Sequence, residues 1–150
     1  GSTVPLIERW TGTRWARSAA PGRGLLSGVV VQADRRLIAV GWREAPAGEE
    51  IVTLGGSDGR WTPVPGDGDP GRLSAVAAGQ STVAVGLRDD DSGLPTAIAM
   101  SYQGGWQPID IGAPPVAPGG AQLLGVTGEG GDFLAGGVLN ALRESNRSLR

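Results

Sequence analysis

The chain contains no cysteine, no histidine and no lysine, and all 13 of its basic residues are arginine. Without histidine or cysteine it cannot form a Ser-His-Asp or Cys-His catalytic set, or an ordinary zinc, haem-thiolate or iron–sulfur site. Without lysine it has no P-loop lysine, no Schiff-base amine and no Ser-Lys dyad. We therefore expect a protein that is not an enzyme and that uses no metal and no cofactor.

Charge and hydropathy give no reason to expect nucleic acid or a membrane span. The formal net charge is −2, with acids and arginines interspersed, whereas nucleic-acid binding usually requires a basic face. No apolar run approaches the roughly 20 residues that cross a bilayer. The chain opens on Gly1–Pro5 without the features of a signal peptide,. Because an initial Gly-Ser is typical of an expression remnant, we expect that a native signal is missing.

Glycine is abundant, with 27 residues of 150, and the glycines separate short β-branched runs,. Three segments align on the pattern Leu-x-small-Val: Leu26–Val29, Leu73–Val76 and Leu123–Val126. About ten residues later each has a second apolar motif: Ile38–Gly41, Val83–Gly86 and Leu134–Gly137. Trp15, Trp61 and Trp106 close the units at spacings of 46 and 45 residues. The sequence thus predicts one domain, 1–150, with units at about 19–64, 65–111, and 112–150 joined to 1–18.

Each unit is predicted to contain four short strands, in the order 3-4, 1-2-3-4, 1-2-3-4, 1-2. The predicted strands are Val4–Trp10, Arg14–Ser18, Leu25–Gln32, Arg36–Arg43, Glu50–Leu54, Arg60–Val64, Arg72–Ala78, Thr82–Arg88, Pro95–Tyr102, Trp106–Ile111, Gln122–Thr127 and Asp132–Leu139. A loop through Pro46 and Gly48 is expected within the unit at 19–64. The first strands are apolar nearly throughout, which predicts burial on both faces. The tail Val138–Arg150 is interpreted as a long loop.

This pattern resembles the blades of a β-propeller, in particular the Asp-box and sialidase-like repeats and related blades of bacterial secreted proteins. The likeness covers nearly the whole chain and is closest at Gly56–Trp61, whose sequence is Gly-Ser-Asp-Gly-Arg-Trp. The turns before Trp15 and Trp106 lack the aspartate. The resemblance implies that Asp58 hydrogen-bonds turn amides, that Trp61 packs between blades, and that the protein is bacterial and extracytoplasmic or secreted.

Propellers have roughly 4–8 blades, so three blades do not close a ring and leave two edges unpaired. We therefore expect an all-β fold of three four-stranded blades with split termini, which is half of a roughly six-bladed β-propeller. Another copy of the chain or a second chain would complete the ring. The alternative is a β-trefoil, which needs no partner because three repeats of four strands complete it in roughly 150 residues.

Several motifs that suggest chemistry are interpreted as loops. Gly55–Gly59 fits G-x-S-x-G and Gly66–Gly71 fits G-x-G-x-x-G, but each leads into a predicted strand rather than into the helix that such a site requires. Asp67 with Asp69, and the run Asp89–Asp91, lack the spacing of a calcium-binding EF-hand,. We expect solvated acidic loops at both places.

One recurrence indicates a ligand-binding face. Arg43 and Arg88 each follow the Ala-Val-Gly motif by two residues, where the second strand meets its loop. In a propeller that loop shares a face with the loop entering the first strand, which carries Arg23 in one unit and Arg72 in another. Trp42 lies beside Arg43. Arginines with an aromatic ring can receive carboxylates, sugars or a peptide.

The leading hypothesis is a non-enzymatic β-propeller module that binds a protein or glycan partner. The first alternative is a self-assembling half-propeller, and the second is a fragment of a sialidase-like glycoside hydrolase whose missing residues lie on another chain. For the arginines, the alternative to ligand binding is salt bridging with Glu44, Asp89 or Asp90, or simple exposure to water.

Overall fold

A computed structural model describes residues 2–112 and 119–140 of the chain. This part is all-β, with 62% of its residues in strands and no helix. The twelve strands are β1 (Ile7–Trp10), β2 (Trp15–Ser18), β3 (Leu25–Val31), β4 (Leu37–Ala45), β5 (Gly48–Ser57), β6 (Arg60–Pro63), β7 (Arg72–Ala78), β8 (Thr82–Asp89), β9 (Pro95–Tyr102), β10 (Trp106–Ile109), β11 (Ala121–Glu129) and β12 (Asp132–Leu139). Nothing in the described ranges is a helix long and apolar enough to cross a membrane.

The strands form four antiparallel sheets in which each strand pairs with its neighbour in sequence. The first sheet has the order β3-β4-β5-β6, and the second sheet has the order β7-β8-β9-β10. The N-terminal hairpin is β1-β2 and the C-terminal hairpin is β11-β12. The predicted strand order is therefore observed, with two complete four-stranded units and two half-units at the ends of the described chain.

Two sequence-based expectations about individual strands are wrong. The loop expected through Pro46 and Gly48 is only a tight turn, because β4 and β5 stay paired up to Ala45 and Gly48. The first strands are not all buried on both faces: in β3, Val29 and Val31 are exposed. No other described element covers that face of β3, whereas the central strands β4 and β5 are covered. Of the predicted tail loop, Val138 and Leu139 belong to β12, and residues 141–150 lie outside the described residues.

A β-bulge recurs at the same place in all three units. The register between first and second strands shifts after Leu26, after Leu73 and after Leu123. Opposite each bulge lies a glycine, namely Gly41, Gly86 or Gly137, and a Cβ there would overlap a carbonyl oxygen of the first strand. The second strands β4, β8 and β12 all continue past these glycines.

Three apolar clusters hold the sheets in a row. The central cluster joins the first and second sheets and comprises Ile38, Val40, Ile51, Leu73, Ala84, Met100 and Trp106. The N-terminal cluster places Ile7 and Ala20 against first-sheet residues Ala39, Val52, Leu54 and Trp61. The C-terminal cluster places Leu123, Val126 and Phe133 against second-sheet residues Val83, Val85 and Ala99. Each hairpin therefore packs on a different sheet.

Candidate functional site

The five residues selected from the sequence lie at one end of the strands. Trp42 and Arg43 lie near the end of β4 and Arg88 near the end of β8, while Arg72 begins β7 and Arg23 precedes β3. In an antiparallel pair the first strand begins where the second strand ends, so the sheets place these side chains on a common rim. We call this rim the arginine end.

Arg43 is held by two carboxylates. Its Nε donates to Glu50 Oε2 at 2.9 Å, and its Nη1 donates to Asp67 Oδ2 at 3.4 Å. Asp67 Oδ1 also accepts the backbone N–H of Thr53 at 3.1 Å. Burial alone would lower the pKa of Arg43, but the hydrogen bond to Glu50 and the charge of Asp67 outweigh it and raise that pKa above its ordinary value,. Arg43 thus fastens the connector between the two sheets to the edge of β5.

Arg72 and Arg88 are also held by contacts within the protein. Arg72 forms a two-pronged ion pair with Glu49, with Nε 3.1 Å from Oε2, and its guanidinium lies 4.2 Å from the centroid of the Trp42 ring,. Arg88 Nε donates to the carbonyl oxygen of Pro70 at 2.7 Å. These contacts join the end of the first sheet, the connector and the start of the second sheet.

Arg43 and Arg72 form salt bridges, but not with the acids that the sequence suggested. Within residues 2–112 and 119–140 the partners are Glu49, Glu50 and Asp67, and none of Glu44, Asp89 and Asp90 pairs with an arginine. Arg43 lies directly opposite Glu50 in the β4–β5 register. The expected loop through Pro46 leaves the register of the two strands open, whereas the tight turn between Ala45 and Gly48 fixes it and places these two side chains opposite each other,.

Neutralising Asp67 is expected to loosen this connector. Asp67→Asn keeps an acceptor for Thr53 but removes the charge facing Arg43, so the free energy of unfolding should fall by about 1 kcal/mol in urea denaturation. The matched control is Asp34→Asn, since Asp34 forms an exposed ion pair with Arg36 that should be worth about 0.5 kcal/mol or less. Equal effects of the two substitutions would contradict the bracing role of Asp67.

Arg23 differs from the other arginines of this end. It is exposed and forms no ion pair within the described ranges. It borders a cavity of about 370 Å³ whose wall includes Trp42 and Arg43. Thr3 closes one side, since its carbonyl oxygen accepts the N–H of Gly24 at 2.9 Å. Three of the five selected residues therefore line one cavity, and Arg23 is the one whose guanidinium is free to meet an anion.

A larger cavity at the opposite end of the strands was not anticipated. It measures about 980 Å³ and is open, and its rim consists of the β3–β4, β5–β6 and β9–β10 turns. Both charges are present, including Asp34, Arg36, Asp58 and Arg60, and Tyr102 lies in its wall. The recurring Asp and Arg residues in two of the turns were the signal available in the sequence.

The Asp-box resemblance implies that Asp58 hydrogen-bonds turn amides and that Trp61 packs between blades. Trp61 is buried between the first sheet and the N-terminal hairpin. Asp58 instead has a positive φ of 52° in the β5–β6 turn, and its carboxylate accepts no hydrogen bond from the described residues. This end of the strands therefore carries a groove that is lined by acidic and basic side chains, and these side chains are not arranged as a binding site for one anion or one cation.

The acidic run Asp89–Asp91 organises its own loop. Asp90 Oδ1 accepts hydrogen bonds from the Ser92 hydroxyl at 2.6 Å, from the Ser92 N–H at 2.9 Å and from the Leu94 N–H at 3.0 Å. Nowhere in residues 2–112 and 119–140 do three carboxylates group in a way that would hold a metal ion. Asp89 ends β8, and Asp90 and Asp91 lie in the loop that follows it.

Asp90 is expected to titrate below an ordinary aspartate. The Ser92 hydroxyl and the Leu94 N–H favour its charged form and lower its pKa from 3.8,. Loop order contributed by Asp90 is thus fully present above pH 3.8 and is lost as the pH falls through the lowered pKa,. Carboxyl NMR titration checks this: Ser92→Ala should raise the pKa and Ser92→Thr should not. A wild-type pKa at or above 3.8 would contradict the assignment.

Comparison of the chain with protein-family models, with curated proteins and with solved structures gives no match. The class of protein therefore rests on the fold and the two ends described above: an all-β chain of antiparallel sheets in series, with an internally braced arginine end and a polar groove opposite.

Proposed function

We propose that the chain is a β-propeller module without enzymatic activity that binds a protein or glycan partner at the arginine end. The observation that supports this most is the cavity at which Arg23, Trp42 and Arg43 meet. Loops at one end of a rigid β frame are the usual place for binding residues. The partner that this cavity suits carries a carboxylate or another anionic group beside an apolar or sugar face.

The propeller interpretation is supported by the series of sheets. Two consecutive four-stranded antiparallel sheets pack face to face through the central cluster, and a half-unit lies outside each of them. A β-trefoil would instead bring its three units around one shared core, and the three separate clusters do not favour that arrangement. We therefore propose that the two sheets are blades and that the hairpins are halves of a third blade.

The arrangement of the arginine end assigns separate roles to its residues. Arg43 and Arg72 are neutralised by acids and serve to hold the frame, and Arg72 fixes the Trp42 ring by lying over it. The positive charge offered to a ligand is therefore that of Arg23, and Glu44 places an acid in the same cavity wall. A guanidinium at the edge of a preorganised cavity binds a carboxylate through charge-assisted hydrogen bonds.

Charge reversal at Arg23 tests this function. Arg23→Glu should reduce binding to acidic glycans or peptides on an array at least about tenfold, as expected when a charge-assisted hydrogen bond is replaced by repulsion. The control is Arg60→Glu, which changes the same charge at the opposite end and should leave binding unchanged. Binding that survives Arg23→Glu, or the absence of any array ligand for the wild type, would contradict the proposal.

The hydrolase alternative is separated from this proposal by turnover. A panel of fluorogenic glycosides, including sialosides, should show no hydrolysis above a buffer control when incubated with the chain. Hydrolysis by the wild-type chain above that control would overturn the proposal of a non-enzymatic module, whether or not Arg23→Glu retains it.

A further inference from the structure

The two hairpins correspond to complementary halves of one unit. In the complete sheets, strands one and two are β3-β4 and β7-β8, and strands three and four are β5-β6 and β9-β10. The C-terminal hairpin repeats the first half, including its bulge and its close glycine. The N-terminal hairpin repeats the second half, including the tryptophan that begins its last strand. Yet β12 and β1 are not paired with each other, and each has a free edge.

Apolar residues on these hairpins are exposed where their counterparts are buried. Trp15 is 64% exposed, whereas Trp61 is 9% and Trp106 is 7% exposed. Leu134 is 73% exposed, whereas Ile38, at the same place in β4, is 2% exposed. Further exposed apolar side chains on or beside the hairpins are Val4, Leu6, Trp10, Leu124, Val138 and Leu139. Large apolar surfaces of this kind mark interaction sites.

We propose that a second copy of this chain covers both surfaces, with β12 of each copy pairing antiparallel with β1 of the other. Each pairing joins two hairpins into a four-stranded blade, so that two copies form a closed ring of six blades. This inference rests on the proposed propeller fold. A ring of six lies within the range of roughly 4–8 blades, whereas three copies would form nine. Twofold symmetry closes the ring and pairs the facing edges of β12 and β1, which are free in the single chain,.

The complete blades specify how the strands would align. In the first sheet, Gly41 pairs with Val52, which lies four residues before Gly56, the residue opposite Trp61. In the second sheet, Gly86 pairs with the residue four before Tyr102, which lies opposite Trp106. The offset between second and third strands is therefore the same in both blades.

Applied to the hairpins, this offset gives one register. Trp10 lies opposite Trp15 in the N-terminal hairpin, so the residue that pairs with Gly137 of the other copy is Leu6, four before Trp10. One step along, Ile7 pairs with Gly136, and Arg9 pairs with Leu134.

The backbone of β1 is suited to this pairing. The N–H of Thr11 donates to the carbonyl oxygen of Arg14 at 2.9 Å, so odd-numbered residues face β2 and Leu6, Glu8 and Trp10 direct their backbone groups to the free edge. Pro5 has no N–H to donate. Its counterpart in β5, Ile51, directs its N–H away from β4, to Asp69, so Pro5 removes no hydrogen bond from the proposed pair.

One side-chain contact between the first strands of successive blades would also recur between the two copies. The Cα of Gly28 in β3 faces Val76 in β7, where an added Cβ would lie 3.1 Å from Val76 Cγ1. One blade further, Ala75 in β7 shares a cluster with Val126 in β11. The residue of β11 that corresponds to Gly28 and Ala75 is Gly125, and a Cβ added there would have no atom within 4 Å. The residue of β3 that corresponds to Val76 and Val126 is Val29, which is exposed. In the proposed ring Val29 of one copy packs on Gly125 of the other.

The N-terminal cluster lacks a residue that the second copy supplies. The central cluster contains Ile38 from the second strand of the preceding blade. The N-terminal cluster receives Ile7 from the third strand but nothing from a second strand. In the proposed register Leu134 of the other copy occupies that place, and Trp15 reaches the second sheet of the other copy beside Ala99. The same contact that completes the blade thus completes both end clusters.

Light scattering of the purified chain tests the assembly. We expect a mass of about 30 kDa, twice the 15.2 kDa of one chain, and Leu134→Asp should halve it while the β circular-dichroism signal is retained. The control Leu94→Asp changes an exposed leucine of the β8–β9 loop and should leave the mass unchanged. A folded wild-type chain of 15 kDa or of 45 kDa would overturn the proposal, as would a Leu134→Asp variant that stays dimeric.

Disulfide trapping tests the register, because the chain has no cysteine of its own. Arg9 and Leu134 form a non-hydrogen-bonded pair in the proposed ladder, where Cα atoms lie about 4.5 Å apart and suit a disulfide. Mixing Arg9→Cys with Leu134→Cys should give a covalent heterodimer on a non-reducing gel. Arg9→Cys mixed with Ala135→Cys should not, because one residue along the strand places the side chain on the other face. Equal yields from the two mixtures would overturn the register.

The two proposals fail in different ways. Arg23→Glu should reduce ligand binding at least about tenfold at unchanged mass, and Leu134→Asp should change the mass whether or not a ligand is known. A monomer that binds array ligands through Arg23 would overturn the ring alone, and a dimer without any ligand would overturn the binding function alone.

Discussion

Gly86→Ala is expected to lower the free energy of unfolding by about 3 kcal/mol or more, which is large against the stability of a small domain. Gly86 lies in β8 opposite the bulge of β7, and a Cβ at this position would overlap the carbonyl oxygen of Arg72 and lie 3.0 Å from the Cα of Leu73. Neither atom belongs to a flexible side chain, so β7 and β8 would have to separate at this point. Urea denaturation followed by circular dichroism measures the loss.

Gly136→Ala is the matched control for this effect. Gly136 lies in β12, has no atom within 4 Å of an added Cβ and does not have a positive φ. Alanine there should be neutral or stabilising by up to about 1 kcal/mol, because it restricts the unfolded chain. If Gly86→Ala were as mild as Gly136→Ala, the close approach at the bulge would be refuted, and with it the structural basis of the repeat.

Trp106→Ala is expected to cost about 3–5 kcal/mol, as for other buried large aromatics. Trp106 packs in the central cluster between the sheets, and its Nε1 donates to Thr53 Oγ1 in the first sheet at 2.8 Å. Because this side chain contacts both sheets, its removal should uncouple them and reduce the steepness of the unfolding transition as well as its midpoint.

Variants of Thr53 separate the hydrogen bond from the packing. Thr53→Val keeps the shape but leaves the indole N–H of Trp106 without its acceptor, and should cost about 1–3 kcal/mol. Thr53→Ser retains the hydroxyl and should cost less. A Thr53→Val variant as stable as Thr53→Ser would show that the hydrogen bond at the sheet interface contributes nothing.

Strand positions were predictable because they depend on local signals. Each of the twelve predicted strands overlaps an observed one, since short β-branched runs bounded by glycine and proline have few other conformations,. The turns at Asp58-Gly59 and Gly104 were visible for the same reason. The length of β5 was not, because Pro46 was interpreted as a loop signal although a tight turn accommodates it,.

The candidate site was predictable in place but not in chemistry. The recurrence of Arg43 and Arg88 after the same motif was enough to group them with Arg72 at one end of the sheets. Their partners depended on contacts that span up to 24 residues, such as Arg43 with Asp67, and on the strand register. Local patterns carry no information about such pairs.

The order of apolar runs and of glycine and proline along the chain thus determined an all-β fold with two four-stranded units and a pair of strands on either side of them, because these features follow from the conformational preferences of neighbouring residues. Packing decided the rest. The bulges require glycine at Gly41, Gly86 and Gly137. Acidic partners neutralise Arg43 and Arg72, whereas Arg23 is exposed. Trp15 and Leu134 are left uncovered on the two terminal hairpins. These outcomes depend on which distant surfaces meet, and only the tertiary structure brings those surfaces together.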